Sequence, residues 1–162
     1  PWFDNTIFII TADHAQSEPQ RDIYLTSAGL FEVPVIIYTP DGSLIGRDNR
    51  LIQQIDIMPV VLGILNYNKP YFAFGNDVLN SGGDNCVVNY INGMYQLFYR
   101  DFLLIADEKQ TKGFYNFKTD RLLINNLTGH AGVVQDTMEL KLKAFMQQYH
   151  NRMLENRISV PQ

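Results

Sequence analysis

Two neighbouring side chains carry the clearest chemistry in the sequence. Asp13 offers a carboxylate oxygen and His14 an imidazole nitrogen, at the end of Thr6-Ile7-Phe8-Ile9-Ile10-Thr11-Ala12-Asp13-His14. Donors of these types bind divalent cations; zinc-like sites take three or four ligands, and Mg²⁺ or Ca²⁺ more. Adjacent residues inside a strand point opposite ways. Just past a strand end the backbone turns, and both can converge on one ion. Asp13 and His14 are therefore candidate metal ligands, with a turn-capping Asp beside an incidental His as the alternative reading.

The element that must position them is the apolar run Ile7 to Ile10. An unbroken run predicts a strand buried on both faces, as in the parallel sheet of an α/β protein. In such sheets ligands bind beyond the carboxyl ends of the strands, which is where Asp13 and His14 stand. A polar stretch from Ala15 to Asp22 follows, in a connection that runs to Val33. Connections of that length are often functional loops. Tyr24, Thr26 and Ser27 are candidates to face a ligand there, with a plain surface loop as the alternative. Pro34 to Thr39 predicts a second buried strand, and Pro40-Asp41-Gly42 a turn. Asp56 reads as the N-cap of a short helix from Ile57 to about Leu65, rather than as a catalytic acid, with Pro59 in the first turn. Tyr67 to Gly83 reads as a long covering segment.

The pattern changes near Asp84. Cys86 to Ile91 and Met94 to Tyr99 flank Asn92-Gly93, the strongest short hairpin signal. Arg100-Asp101 turns the chain into Phe102 to Asp107, and Gly113 to Phe117 supplies a fourth strand, so an antiparallel meander is expected. Met138, Leu142, Phe145, Tyr149 and Met153 fall on one face of a helix predicted from about Thr137 to Glu155. Asp136 and Glu139 have the spacing of a capping box at its start. The apolar face is expected to pack on the meander, and Ile158 to Gln162 to be loose. The fold class is thus α/β, a partial core with parallel strands (residues 1–83) followed by a four-stranded antiparallel subdomain with its helix (residues 84–162).

The remaining reactive side chains read as structural. His130 lies in a loop and His150 on the last helix, while Cys86 begins a strand and reads as packing. Asn126-Leu127-Thr128 matches a glycosylation sequon. Neither a phosphate-cradling glycine loop nor a Gly-x-Ser-x-Gly elbow is present. A single cysteine excludes an internal disulfide and a cysteine-based zinc site. A net charge of −4 without a Lys/Arg cluster argues against a nucleic-acid partner. No stretch approaches the roughly 20 apolar residues of a membrane span. A core strand within a few residues of Pro1 predicts that the chain is the C-terminal piece of a larger protein, with apolar surface through which the piece could self-associate.

Several stretches together resemble the alkaline phosphatase superfamily, nearest to the sulfatases and the lipoteichoic-acid-synthase-like phosphoglycerol transferases. Asp4-Asn5-Thr6 through Asp13-His14 is similar to the family's late metal-binding strand. Phe31 to Tyr38 resembles its Val-Pro strand, and Gln54 to Leu65 its Asp-Ile-x-Pro helix, with Val60 where Thr is usual. Phe114 to Arg121 with Asn125-Asn126-Leu127 resembles the sulfatase C-terminal pattern, with Arg121 in place of Pro. Gln53 to Gly75 is most similar in style to sulfatases of Bacteroides-type bacteria.

The resemblance implies a metal-dependent enzyme in which an upstream Thr, Ser or formylglycine attacks sulfur or phosphorus. It makes Asp13 and His14 two ligands of a divalent metal (Mn, Zn, Mg or Ca). It implies a sulfate- or phosphate-ester substrate on a glycan or lipid, and an extracytoplasmic, membrane-anchored parent. The nucleophile and the remaining metal ligands are expected upstream of these residues, so this chain alone is expected to be inactive and to bind metal weakly. Alternatives are another phosphodiesterase or phosphomutase of the superfamily, and a degenerate domain that binds glycans or a partner without catalysis.

Overall fold

The computed structural model describes all residues except 17, 19, 83, 84, 161 and 162. Two positions of the polar connection, two at the expected change of pattern and the end of the tail therefore lie outside the described residues. By compactness the chain forms two units, residues 1–49 with 117–124, and residues 50–116 with 125–162. The fold is α/β, with antiparallel strands and a C-terminal helix.

In the first unit, β1 (Phe8–Thr11) and β2 (Val35–Tyr38) form a two-stranded sheet. They run antiparallel, with Phe8 opposite Tyr38 and Thr11 opposite Val35, which corrects the parallel arrangement expected from the sequence. An apolar run reports burial and carries no information about direction. The connection holds two 3₁₀ turns, Asp22–Leu25 and Gly29–Phe31, and among its described residues no crossover helix of the kind a parallel pair needs. The strands are also not sealed on both faces: Ile10 is 60% and Ile36 50% exposed. Trp2, Phe3, Phe8 and Tyr38 form a chain of ring contacts at one end of the pair.

The second unit begins with a 3₁₀ turn, Gln54–Asp56, that runs directly into α1 (Ile57–Ile64). Asp56 occupies the N-cap position of α1, as expected, but makes no side-chain cap bond to it. Asp56 is already in the right-handed helical region, and its carboxylate reaches back to accept the Gln53 N–H at 2.9 Å and across to accept the Asn76 N–H at 2.8 Å. It thereby ties the covering segment to the helix entry. Burial pushes this carboxyl above its ordinary value, against those two hydrogen bonds.

The meander is observed with strand order β3-β4-β5-β6, over Cys86–Ile91, Met94–Tyr99, Phe102–Ala106 and Thr111–Asn116. Asn92 and Gly93 both take positive φ, 51° and 77°, as the favoured two-residue hairpin requires. One face of the meander buries Leu97, Tyr99, Leu104, Ala106 and Phe114 against Met138 and Leu142 of α2 (Val133–Leu154). The helix starts four residues before the expected Thr137, after Gly132, so Asp136 lies in its first turn and does not cap it. Glu139 instead accepts hydrogen bonds from Thr111 Oγ1 at 2.7 Å and Gln135 Nε2 at 2.9 Å. Of the expected apolar stripe only Met138 and Leu142 are buried; Phe145 and Tyr149 gather around Phe74.

Candidate metal centre

Asp13 and His14 stand just beyond the end of β1, in a bend of the chain. Both side chains are open to solvent, Asp13 at 87% and His14 at 59%. The Asp13 carboxylate Oδ1 accepts the His14 backbone N–H at 2.9 Å, which fixes the turn. His14 Nδ1 lies 2.6 Å from the Ala15 carbonyl oxygen. A carbonyl can only accept, so Nδ1 carries the hydrogen and the neutral ring presents the lone pair on Nε2. That atom lies 3.6 Å from Asp13 Oδ2.

A carboxylate oxygen and an imidazole nitrogen are both donors of the kinds that bind divalent cations. Ligands at zinc-like bond lengths in tetrahedral array stand about 3.3 Å apart, so the pair fits two positions of one coordination shell with little adjustment. The backbone carbonyl on Nδ1 is the orienting partner that metal-binding imidazoles usually have. Among the described residues no group of three His, Cys, Asp or Glu side chains is placed to hold an ion, so Asp13 and His14 supply two donors and no more.

Beside the pair is a cavity of about 570 Å³, lined by His14, Gln20, Arg21, Tyr24, Glu32 and Pro34 among others. This is within the usual range for small-molecule sites. Its wall is built by the connection between β1 and β2. Thr26 Oγ1 donates to the Ile23 carbonyl at 2.8 Å and accepts the Gly29 N–H at 3.1 Å, and Ala15 N–H donates to the Leu30 carbonyl at 3.1 Å. Gly29 packs so closely that a Cβ there would lie 1.9 Å from the Ile23 oxygen. Of the three loop candidates, Tyr24 lines the cavity, Thr26 is a structural clasp, and Ser27 is not part of the lining. Arg21, Gln20 and Glu32 were not singled out from the sequence; the length and polarity of the loop were the only signal pointing to them.

The other reactive residues belong to the second unit and have surroundings of their own. Cys86 is half-buried on β3, and burial pushes its thiol up, which suits packing rather than nucleophilic attack. Asn126 of the sequon is a structural hub: its Oδ1 accepts from Phe114 N–H at 3.1 Å and Thr128 Oγ1 at 2.6 Å, while its Nδ2 donates to the Lys112 carbonyl at 3.3 Å. His130 is exposed in the turn before α2, and His150 is exposed on that helix.

Residues 3–67 match the sulfatase family model. The stretch includes β1, the Asp13–His14 pair, the cavity wall, β2 and α1. The fold is similar to that of the solved structure of BT4656 in complex with its substrate D-glucosamine-2-N,6-O-disulfate, with a TM-score of 0.63 and 20% sequence identity. The match covers 91% of this chain and 35% of that one, so the chain spans about a third of that protein's length. A comparison with curated proteins finds no match.

Proposed function

We propose that the chain forms part of the catalytic core of a metal-dependent sulfatase, a hydrolase of sulfuric esters. One observation carries this reading. The segment matched by the sulfatase family model holds Asp13 and His14 side by side, with a carboxylate oxygen and an imidazole nitrogen 3.6 Å apart. Asp13 and His14 are two ligands of a divalent ion (Mn, Zn, Mg or Ca). Such an ion, when bound, supplies Lewis-acid stabilisation of the charge on the transferring group. What the chain itself does is orient its donors: the Ala15 carbonyl holds the His14 tautomer, and the His14 N–H holds the Asp13 carboxylate. Because two donors do not complete a shell, the remaining ligands and the nucleophile are assigned to residues beyond these 162, and the chain alone is expected to show no turnover.

The substrate in this reading is a sulfated glycan, supported by the disulfated glucosamine named as the substrate of BT4656. An extracytoplasmic, membrane-anchored setting rests on the sequence resemblance alone; no helix among the described residues is long and apolar enough to cross a membrane. The test is sulfate release from a sulfated monosaccharide by the enzyme containing this chain, beside hydrolysis of a phosphodiester. Sulfate release that His14→Ala lowers by about 100-fold or more supports the reading, since groups acting directly at a reaction centre have effects of that size. Phosphodiester turnover without sulfate release contradicts it and favours the phosphoglycerol-transferase or phosphodiesterase branch.

A further inference from the structure

We propose that Arg21 is a specificity-determining residue that selects substrates bearing a second anionic group, remote from the ester. This rests on the sulfatase reading of the Asp13–His14 pair and deepens it. The cavity beside the pair is lined by one arginine, Arg21, and one carboxylate, Glu32. Glu32 is already neutralised: its carboxylate is ion-paired with Arg121, with nitrogen and oxygen 2.5 Å apart. Arg21 is bonded differently. Its carbonyl accepts the Tyr24 N–H at 3.1 Å, and among the described residues its guanidinium has no hydrogen bond or ion pair. Among the described residues the Glu32 charge is therefore paired and the Arg21 charge is not.

A guanidinium in a concavity pairs best with a planar or tetrahedral oxyanion, through two parallel N–H···O bonds. His14 lines the same cavity, so one ligand in it has both the metal pair and Arg21 as neighbours. The bonded turns at Thr26 and Gly29 hold the wall in place before a ligand arrives, so little ordering is needed on binding. The oxyanion is a sulfo group or a carboxylate on the sugar; both present the same chemistry to Arg21.

The test is an NMR titration of the enzyme containing this chain, in the presence of a chelator, with N-sulfoglucosamine, glucuronate, N-acetylglucosamine and inorganic sulfate. Chelation makes the outcome independent of the metal reading and of turnover. Shifts confined to residues 14–34 are expected, with one or both anionic sugars binding about tenfold tighter than N-acetylglucosamine, as one charge-assisted pair of bonds provides. Whichever anionic sugar is preferred identifies the source of the anion. Arg21→Ala should abolish that preference and leave the weak binding of the neutral sugar unchanged, and Arg21→Lys should restore part of it. Equal binding of anionic and neutral sugars, a preference that survives Arg21→Ala, or inorganic sulfate binding as tightly as the sugars would each overturn the proposal. An enzyme that releases no sulfate while this preference persists would sink the sulfatase reading and leave the anion site standing.

Discussion

In the second unit Leu97, Leu104, Phe114 and Met138 are sealed from solvent, whereas in the first unit Ile10 and Ile36, also on strands, stand half open to it. Among the described residues, Phe117 is the one large apolar side chain of the first unit that is buried. The first unit is held instead by the ring contacts of Trp2, Phe3, Phe8 and Tyr38 and by backbone clasps at Ala15, Thr26 and Gly29. The difference is instructive because the candidate site lies on the unit with less buried core. Its donors are placed by turns, and turns hold direction well while contributing little buried area.

The largest effect should separate the two units by core deletion. Phe114→Ala is expected to cost about 3–5 kcal/mol in chemical denaturation, the usual price of emptying a sealed aromatic site. Ile36→Ala should cost at most about 1 kcal/mol, because half of that side chain is already in water. Equal losses would break the contrast. A smaller effect is expected at the cavity wall. Gly29→Ala must displace the Ile23 carbonyl, at about 1–3 kcal/mol, and should raise hydrogen exchange in residues 21–32 while leaving β4 and β5 protected. Unchanged exchange there would mean that the clasp does not hold the wall.

The smallest effect concerns pH. The Lys112 ammonium, aided by the Gln110 and Lys109 N–H groups, holds the Asp107 carboxyl at about 2, below its ordinary 3.8. A lowered folded-state value means that the folded chain binds this proton less readily than the unfolded one. The contribution is therefore present above pH 3.8 and is lost as pH falls toward 2. Asp107→Asn should flatten stability in that window; an unchanged acid slope would show that the Lys112 contact is screened by solvent.

Much of the second unit was legible because its signals are local. Asn92-Gly93 demands the turn it makes, and the apolar pattern from Met94 to Ala106 places Leu97 and Leu104 in the core. The errors arose where a local signal was asked a tertiary question. The run Ile7 to Ile10 marked a strand but could not give its direction or its coverage. Asp56 has the right type and place for a cap, yet the chain enters α1 through a 3₁₀ turn that aims the carboxylate elsewhere. The Asp13–His14 pair was readable as two donors past a strand end. The cavity was not, because Arg21, Tyr24 and Glu32 meet only after the connection folds back through Thr26 and Gly29.

The central claim is that Asp13 and His14 jointly hold a divalent metal. The most direct measurement is metal content and affinity of the enzyme containing this chain, by elemental analysis and competition with a chelator, for wild type, Asp13→Ala and His14→Ala. Each variant is expected to lose at least about 100-fold in affinity, since even outer-shell partners of metal ligands are worth about 10–100-fold. Wild-type metal content and affinity in both variants would contradict the account and reduce the pair to the end of a strand.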